Sequence, residues 1–278
     1  MYKNLLIAVT LSSFCFNAIA QTDSSKSKHM QQNGPYNLRA WFDIPVTAAG
    51  TVWSLHGMDV IYNRDTVSAA EIMGLDKKSI ESIDRGATNN YNRSAFSMSN
   101  AFFYGSMPLP LIMLIDKDIR RDAAKLGVLY LESMAITGTI YTISAMSANR
   151  FRPYAYNPNV SIYTRTRGGV RNSFYAGHVA LVGTSTFFTA SVWSDYHPNI
   201  KYKWILYTGA TLITAATGYL RVKAGEHFPT DAILGGVLGP AVGYLVPHLH
   251  KKINRKNKMV LLPRFGEGGN GFAMIYKL

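Results

Sequence analysis

Five long apolar runs separated by short polar connections restrict this chain's fold more than any other feature. Ser94 to Ile115 spans 22 residues without a charge, and Leu126 to Asn149 is interrupted only by Glu132. Val179 to Ser194, Trp204 to Leu220 and Ala232 to Pro247 are 16, 17 and 16 residues long. A membrane-crossing helix needs about 20 residues, with a range of about 17–25. The runs therefore fit both membrane spans and the core helices of a soluble all-α protein, and the mean hydropathy of zero leaves the choice open. The charges between the runs favour the membrane. Lys117, Arg120, Arg121 and Lys125 follow the first run, Lys201 and Lys203 the third, and Lys251, Lys252, Arg255, Lys256 and Lys258 the fifth. With those segments cytoplasmic the positive-inside rule holds, and loops 150–178 and 221–231 share the outer side.

The first twenty residues read as a secretory signal: Lys3, an apolar stretch to Phe16, then Ala18-Ile19-Ala20 as a small-x-small cleavage site. The only cysteine, Cys15, lies inside it. A mature chain without cysteine has no disulfide, no thiolate chemistry and no cysteine-based metal site, and it suits an oxidising compartment. The net charge of +13, less the one charge of Lys3, leaves +12 on the mature chain. On an exported protein that balance points to anionic lipid or phosphate rather than nucleic acid.

The domain reading follows: 1–20 signal peptide, 21–93 polar lead-in and short accessory helices, 94–250 helical bundle, 251–278 basic segment and tail. Trp41 to Tyr62, broken by Asp43, His56 and Asp59, is expected to lie on the surface or at an interface. Ser68-Ala69-Ala70-Glu71 opens a short helix as a capping box, and a second runs from about Asp76 to Arg85 and stops at Gly86. Gly235, Gly239 and Gly243 recur every fourth residue, as close helix packing requires. Met259 to Leu278 reads as two short strands around Gly266 to Gly271. The expected fold class is all-α, a membrane-embedded helical bundle of about five to six core helices with short N-terminal helices and a small C-terminal β-like tail.

Three constellations carry chemistry. Arg221-Val222-Lys223-Ala224-Gly225-Glu226-His227-Phe228-Pro229-Thr230-Asp231 puts an Arg, a His and an Asp at the mouth of the last run. Pro229 suits a first helical position, and Asp231 falls in the first turn, where the helix dipole favours a carboxylate. From there Asp231 is expected to reach back to one ring nitrogen of His227, leaving the other free as a nucleophile. Arg221 supplies a fork-shaped cation for phosphate oxygens. Asn149-Arg150-Phe151-Arg152-Pro153 ends the second run and holds Arg152 at a helix end. Ser173-Phe174-Tyr175-Ala176-Gly177-His178 enters the third run, where backbone N–H groups make an anion site and His178 is placed to protonate a leaving oxygen. Each of these alone is a common structural arrangement; all three, in this order on one face, point to phosphoryl transfer.

These residues resemble the phosphatidic acid phosphatase type 2 superfamily, which also contains bacterial class A acid phosphatases and vanadium haloperoxidases. The third family block matches in spacing at Arg221, His227 and Asp231, the second at Gly177 and His178, and the first at Arg152 and Pro153. The resemblance covers roughly residues 95–250. It implies that His227 attacks phosphorus, Asp231 orients it, His178 protonates the leaving alcohol, and Arg152 and Arg221 bind the non-bridging oxygens, with no metal and no other cofactor. Two family ligands are replaced: the Lys position is Ala145 and the Ser position is Ala176, with Tyr175 in place of a Pro. Arg150 and Lys223 are the first candidates for replacement charge, ahead of Arg165, Arg167 and Arg171, and Ala176 and Gly177 offer backbone donors to the substrate.

The function so implied is a metal-independent phosphatase for a phosphorylated lipid: lipid A, a polyprenyl diphosphate, phosphatidic acid or phosphatidylglycerol phosphate. Its place is the bacterial inner membrane, with the site facing the periplasm. The alternatives are a soluble periplasmic acid phosphatase acting on small phosphomonoesters, a vanadate-dependent peroxidase and a non-catalytic lipid-binding relic.

Overall fold

A computed structural model of the protein describes residues 34–252, 259–264 and 271–276. The secretory-signal reading and residues 21–33 of the lead-in lie outside the described residues.

Among the described residues six helices of 14 residues or more make the bundle: α1 (Ala40–Tyr62), α4 (Arg93–Ser106), α6 (Ala123–Ala148), α8 (Gly177–Tyr196), α9 (Lys203–Lys223) and α10 (Pro229–Leu249). Short helices lie between them: α2 (Ala69–Met73), α3 (Ser82–Arg85), α5 (Lys117–Arg121) and α7 (Ile162–Arg165). Strands β1 (Met259–Arg264) and β2 (Gly271–Tyr276) pair antiparallel, with Met259 opposite Tyr276.

Among the described residues three segments are long and apolar enough to cross a membrane: Arg93–Ile115, Ala123–Tyr156 and Pro229–Leu249. The third and fourth apolar runs fall outside this group. In α8 the reason is visible. It is the central helix, and its buried hydroxyls bind neighbouring helices: Ser185 donates to the Ser106 carbonyl at 2.6 Å, Thr184 to the Gly239 carbonyl at 3.1 Å. Interhelical bonds of this kind satisfy polar groups internally but lower hydropathy.

Helix α10 lies along α8 through its glycine stripe. A Cβ at Gly235 would stand 2.6 Å from the Ala176 carbonyl oxygen, and one at Gly239 or Gly243 would collide with the carbonyl of Ala180 or Thr184. The stripe is a packing device within one chain.

The Trp41–Tyr62 segment is a surface helix, as expected, with one face on the bundle: Gly50 and Gly57 let α1 pack on Ala135 and Thr142 of α6, and Ser54 donates to the Ala135 carbonyl at 3.1 Å. Its other face leaves Trp41, Val52 and Leu55 exposed. The first apolar run is not one continuous α-helix, because α4 gives way at Met107-Pro108 to a 3-10 stretch, Leu109–Ile115; Pro108 and Pro110 lack the N–H groups an α-helix would use. Asp76 to Arg85 divides into a 3-10 turn, Lys77–Ser79, and α3, and Gly86 continues into a second 3-10 turn, Gly86–Asn89.

Candidate active site

The C-terminal end of α6, the N-terminal ends of α8 and α10 and the C-terminal end of α9 meet at one end of the bundle. Backbone bonds lock them there: the Ala176 N–H donates to the Asp231 carbonyl at 3.1 Å, Tyr154 to Gly225 at 3.0 Å and Ser173 to Arg150 at 3.1 Å. Gly225 makes the turn before the histidine with φ 77°, and a side chain there would collide with the Asn90 carbonyl. All three chemical constellations converge here.

His227 is 1% exposed. Its Nδ1 lies 2.6 Å from the backbone carbonyl of Ser173. A carbonyl only accepts, so Nδ1 carries the proton and Nε2 keeps its lone pair. Burial and then the Arg152 and Arg221 charges push the His227 pKa well below the usual imidazole value. An unprotonated ring is the nucleophilic form.

The expected direct contact between Asp231 and the His227 ring is not what the structure shows. The Asp231 carboxylate accepts from the Ser173 hydroxyl at 2.6 Å, from Arg150 at 2.5 Å and from the Phe228 N–H at 3.0 Å. Its position in the first turn of α10 turns the carboxylate back onto the helix's own N-terminus, as a capping residue does. Asp231 therefore reaches His227 through Ser173, whose hydroxyl it holds and whose carbonyl holds the imidazole. The family spacing gave no sign of this intermediary.

Arg221 is 2% exposed, and Arg152 is buried beside it. Arg221 donates to Asn100 at 3.3 Å and to Glu226 at 3.4 Å, and its Nε is buried with no acceptor among the described residues. A buried donor without an acceptor is costly. Arg152 spends Nε on the Gly169 carbonyl at 3.0 Å and pairs through Nη1 with Glu226. His178 lies with its ring 4.5 Å from that of Phe103, and burial followed by the charges of Arg221 and Arg152 lowers its pKa as well.

The backbone completes the anion site. Helix α8 begins at Gly177 with no side-chain cap from Ala176, so its first-turn N–H groups have no intrahelical acceptor. Gly177 is required because a Cβ would lie 2.8 Å from the Tyr141 ring.

Of the two first candidates for replacement charge, neither faces the anion site. Arg150 is committed to Asp84 at 2.7 Å and Asp231 at 2.5 Å and lies over the Phe228 ring at 4.2 Å. Two buried carboxylates flank it, so it is consumed as their counter-ion. Lys223 is exposed, with its ammonium 5.8 Å from the Tyr219 ring, because its place on α9 points it away from Arg221. Ala145 belongs to an apolar cluster with Ile61, Tyr141, Tyr175 and Ala180. Arg64 closes the nearby end of α6, donating to the Ala145 carbonyl at 3.1 Å and to Asn172 at 3.1 Å.

Ser173, Asp84, Glu226 and Arg64 are the participants that sequence reasoning missed. Asp84 joins the site from α3 by accepting from the Thr230 N–H at 3.0 Å and its hydroxyl at 2.6 Å. Nothing in the sequence near residue 84 signals a partner 146 positions away. Among the described residues no group of three or more His, Cys, Asp or Glu is arranged to hold a metal.

The bundle thus sets a buried imidazole beside two buried guanidiniums and a helix N-terminus, an arrangement suited to holding an anion. The PAP2 superfamily model matches residues 126–255, and this region of the chain is that of a PAP2 superfamily member, a family of metal-independent histidine phosphatases. Similar solved structures include the transmembrane PAP2-type phosphatidylglycerolphosphate phosphatase of Bacillus subtilis, at 20% identity and TM-score 0.47, covering 77% of this chain and 98% of that one. LpxE of Aquifex aeolicus matches at 24% identity and TM-score 0.38, over 58% of this chain and 90% of its own. No curated protein matches.

Proposed function

We propose that the protein removes phosphate from a phosphorylated lipid at a membrane through a phosphohistidine intermediate. The observation that carries the reading is the pairing of His227 Nδ1 with the Ser173 carbonyl, beside the buried guanidiniums of Arg152 and Arg221. His227 Nε2 attacks phosphorus and the P–O bond to the lipid breaks. His178 supplies the proton to the departing oxygen, then takes one from the water that cleaves the phosphohistidine. Burial and then the charges of Arg221 and Arg152 lower the His178 pKa, and an arriving phosphate offsets the arginine part of that shift. Arg152, Arg221 and the first-turn N–H groups of α8 stabilise the charge on the non-bridging oxygens.

Two features support a lipid over a small ester. An apolar groove of about 570 Å³ starts at Val179, Val222 and Pro229, each one or two positions from a site residue, and runs between α9 and α10 to Thr211 and Pro240. Its size is that of a small-molecule site, and a hydrocarbon chain suits its lining. The outer faces of the bundle also expose Ile112, Leu131, Ile143, Leu212, Ile233 and Leu245, side chains that suit contact with lipid. The site end lies opposite the Arg120, Arg121, Lys125 and Lys251 end, which fits a bacterial inner-membrane protein with its site facing the periplasm.

The test is phosphate release by detergent-purified protein from lipid A, a polyprenyl diphosphate, phosphatidic acid and p-nitrophenyl phosphate, with His227→Ala alongside. Release from a lipid that is abolished by the substitution supports the reading. Turnover of the soluble ester alone refutes the lipid assignment.

A further inference from the structure

Glu226 stands immediately before the nucleophile, and one oxygen of its carboxylate, Oε2, receives both site arginines: Nη1 of Arg152 and Nη2 of Arg221. These are the donors that an incoming phosphate needs. The other donors are largely spent, Arg152 Nε on Gly169 and Arg221 Nη1 on Ser99 and Asn100. Two buried guanidiniums repel: burial and then the Arg152 charge lower the Arg221 pKa. Glu226 supplies their countercharge from within the chain.

We propose that Glu226 is a built-in competitor for the phosphate position, and that it makes the site selective for phosphates carried on a hydrocarbon anchor over small phosphates in solution. The inference rests on reading this as a phosphate site. A carboxylate tethered one residue from His227 competes at high effective concentration. A free phosphate has only its charge with which to displace it. A lipid phosphate also gains from burial along the Val179–Pro240 groove, and that contribution is indifferent to Glu226. The same competition expels the product: orthophosphate left after hydrolysis has no anchor, and the carboxylate returns to the arginines.

The experiment titrates orthophosphate into the full-length, detergent-solubilised protein by calorimetry, comparing wild type, Glu226→Gln and Glu226→Asp, with Arg221→Ala as a site control. KM is measured in parallel for p-nitrophenyl phosphate and for the lipid substrate. Loss of one charged hydrogen-bonding competitor predicts orthophosphate binding about tenfold or more tighter in E226Q. E226D should stay near wild type, and KM should fall more for the small ester than for the lipid. A damaged fold does not bind phosphate more tightly, so the gain is not a folding artefact; if E226Q does not fold, Glu226→Ala carries the same readout. Wild type that binds orthophosphate, with no Glu226 variant binding it more tightly, overturns the competitor and leaves the phosphate site standing. No binding by wild type or any variant overturns the phosphate site and the competitor together.

Discussion

Replacing Ser173 with Ala separates two accounts of how the Asp231 carboxylate orients His227, the nucleophile of the proposed reaction. In the structure Asp231 Oδ2 accepts from the Ser173 hydroxyl at 2.6 Å, and the Ser173 carbonyl lies 2.6 Å from His227 Nδ1. Ser173→Ala removes a hydrogen bond to a charged acceptor, which contributes about 1.5–3 kcal/mol. Asp231 keeps Arg150 and the Phe228 N–H, so no bare carboxylate is left and the fold should survive. The loss falls on the position of the carbonyl that fixes the imidazole. At about 1.4 kcal/mol per factor of ten, kcat should drop by about 10- to 100-fold, with KM held within about twofold, as expected when only transition-state stabilisation is lost. Asp231→Asn should cost at least as much. The double variant should be no worse than Asp231→Asn alone, because both residues act along one chain of contacts. The assay is steady-state phosphate release with an acid-quench measurement of phosphohistidine. A Ser173→Ala enzyme within about twofold of wild type, beside an Asp231→Asn enzyme down by more than about 100-fold, would show that Asp231 contacts His227 directly during turnover. The indirect route would then be wrong.

Arg150→Ala should act on stability before catalysis. It strips the counter-ion from Asp84 and Asp231, both buried, and breaking such a pair costs about 3–5 kcal/mol; the melting temperature in detergent should fall, whereas a substrate-binding role would raise KM at unchanged stability. For pH, the folded-state pKa of His227 lies below its unfolded value near 6.5, so the unfolded chain binds the extra proton. Stability is therefore full above about pH 6.5 and declines as pH falls toward the folded value, and His227→Gln should flatten that slope in thermal unfolding. Gly239→Ala, far from the chemistry, should destabilise by about 1–3 kcal/mol through its collision with the Ala180 carbonyl, outweighing the roughly 1 kcal/mol by which Ala exceeds Gly in helix preference. Saturating chelator should leave kcat unchanged, since every assigned role falls to a side chain or backbone group; a loss restored by one added metal would refute that.

What the sequence showed and what it hid divide along a physical line. Helices α6, α8, α9 and α10 were legible because long apolar runs have few other ways to satisfy their backbone. The glycine stripe was legible because a repeat of four marks one helix face. Asp231 was placed correctly at a helix N-terminus, yet its partners were misread, because sequence spacing fixes which turn a residue occupies and not what crosses it from elsewhere. Arg150 and Lys223 illustrate the same limit: a cation near a site in sequence serves whichever carboxylate or solvent it meets in space. Asp84 lies 147 positions before Asp231, and both meet on Arg150.

The missing family cation turns this into an argument about binding. Ala145 is packed among apolar side chains, and Arg64 is bound to the carbonyl end of α6. The cations facing the anion site are Arg152 and Arg221, against the carboxylate of Glu226. A site with so little excess charge holds phosphate weakly in the ground state, yet it keeps the fixed donors of the α8 N-terminus for the charge that develops in the transition state. On the proposed reading, affinity must then come from the groove between α9 and α10. Each buried methylene contributes about 0.8 kcal/mol, so shortening a lipid substrate by four methylenes should lower kcat/KM by about 200-fold while the chain still lies in the groove. A series of chain lengths tests this in mixed micelles at fixed surface concentration. A kcat/KM independent of chain length would mean that the phosphate end alone secures the substrate, and the low-charge reading of the site would fail.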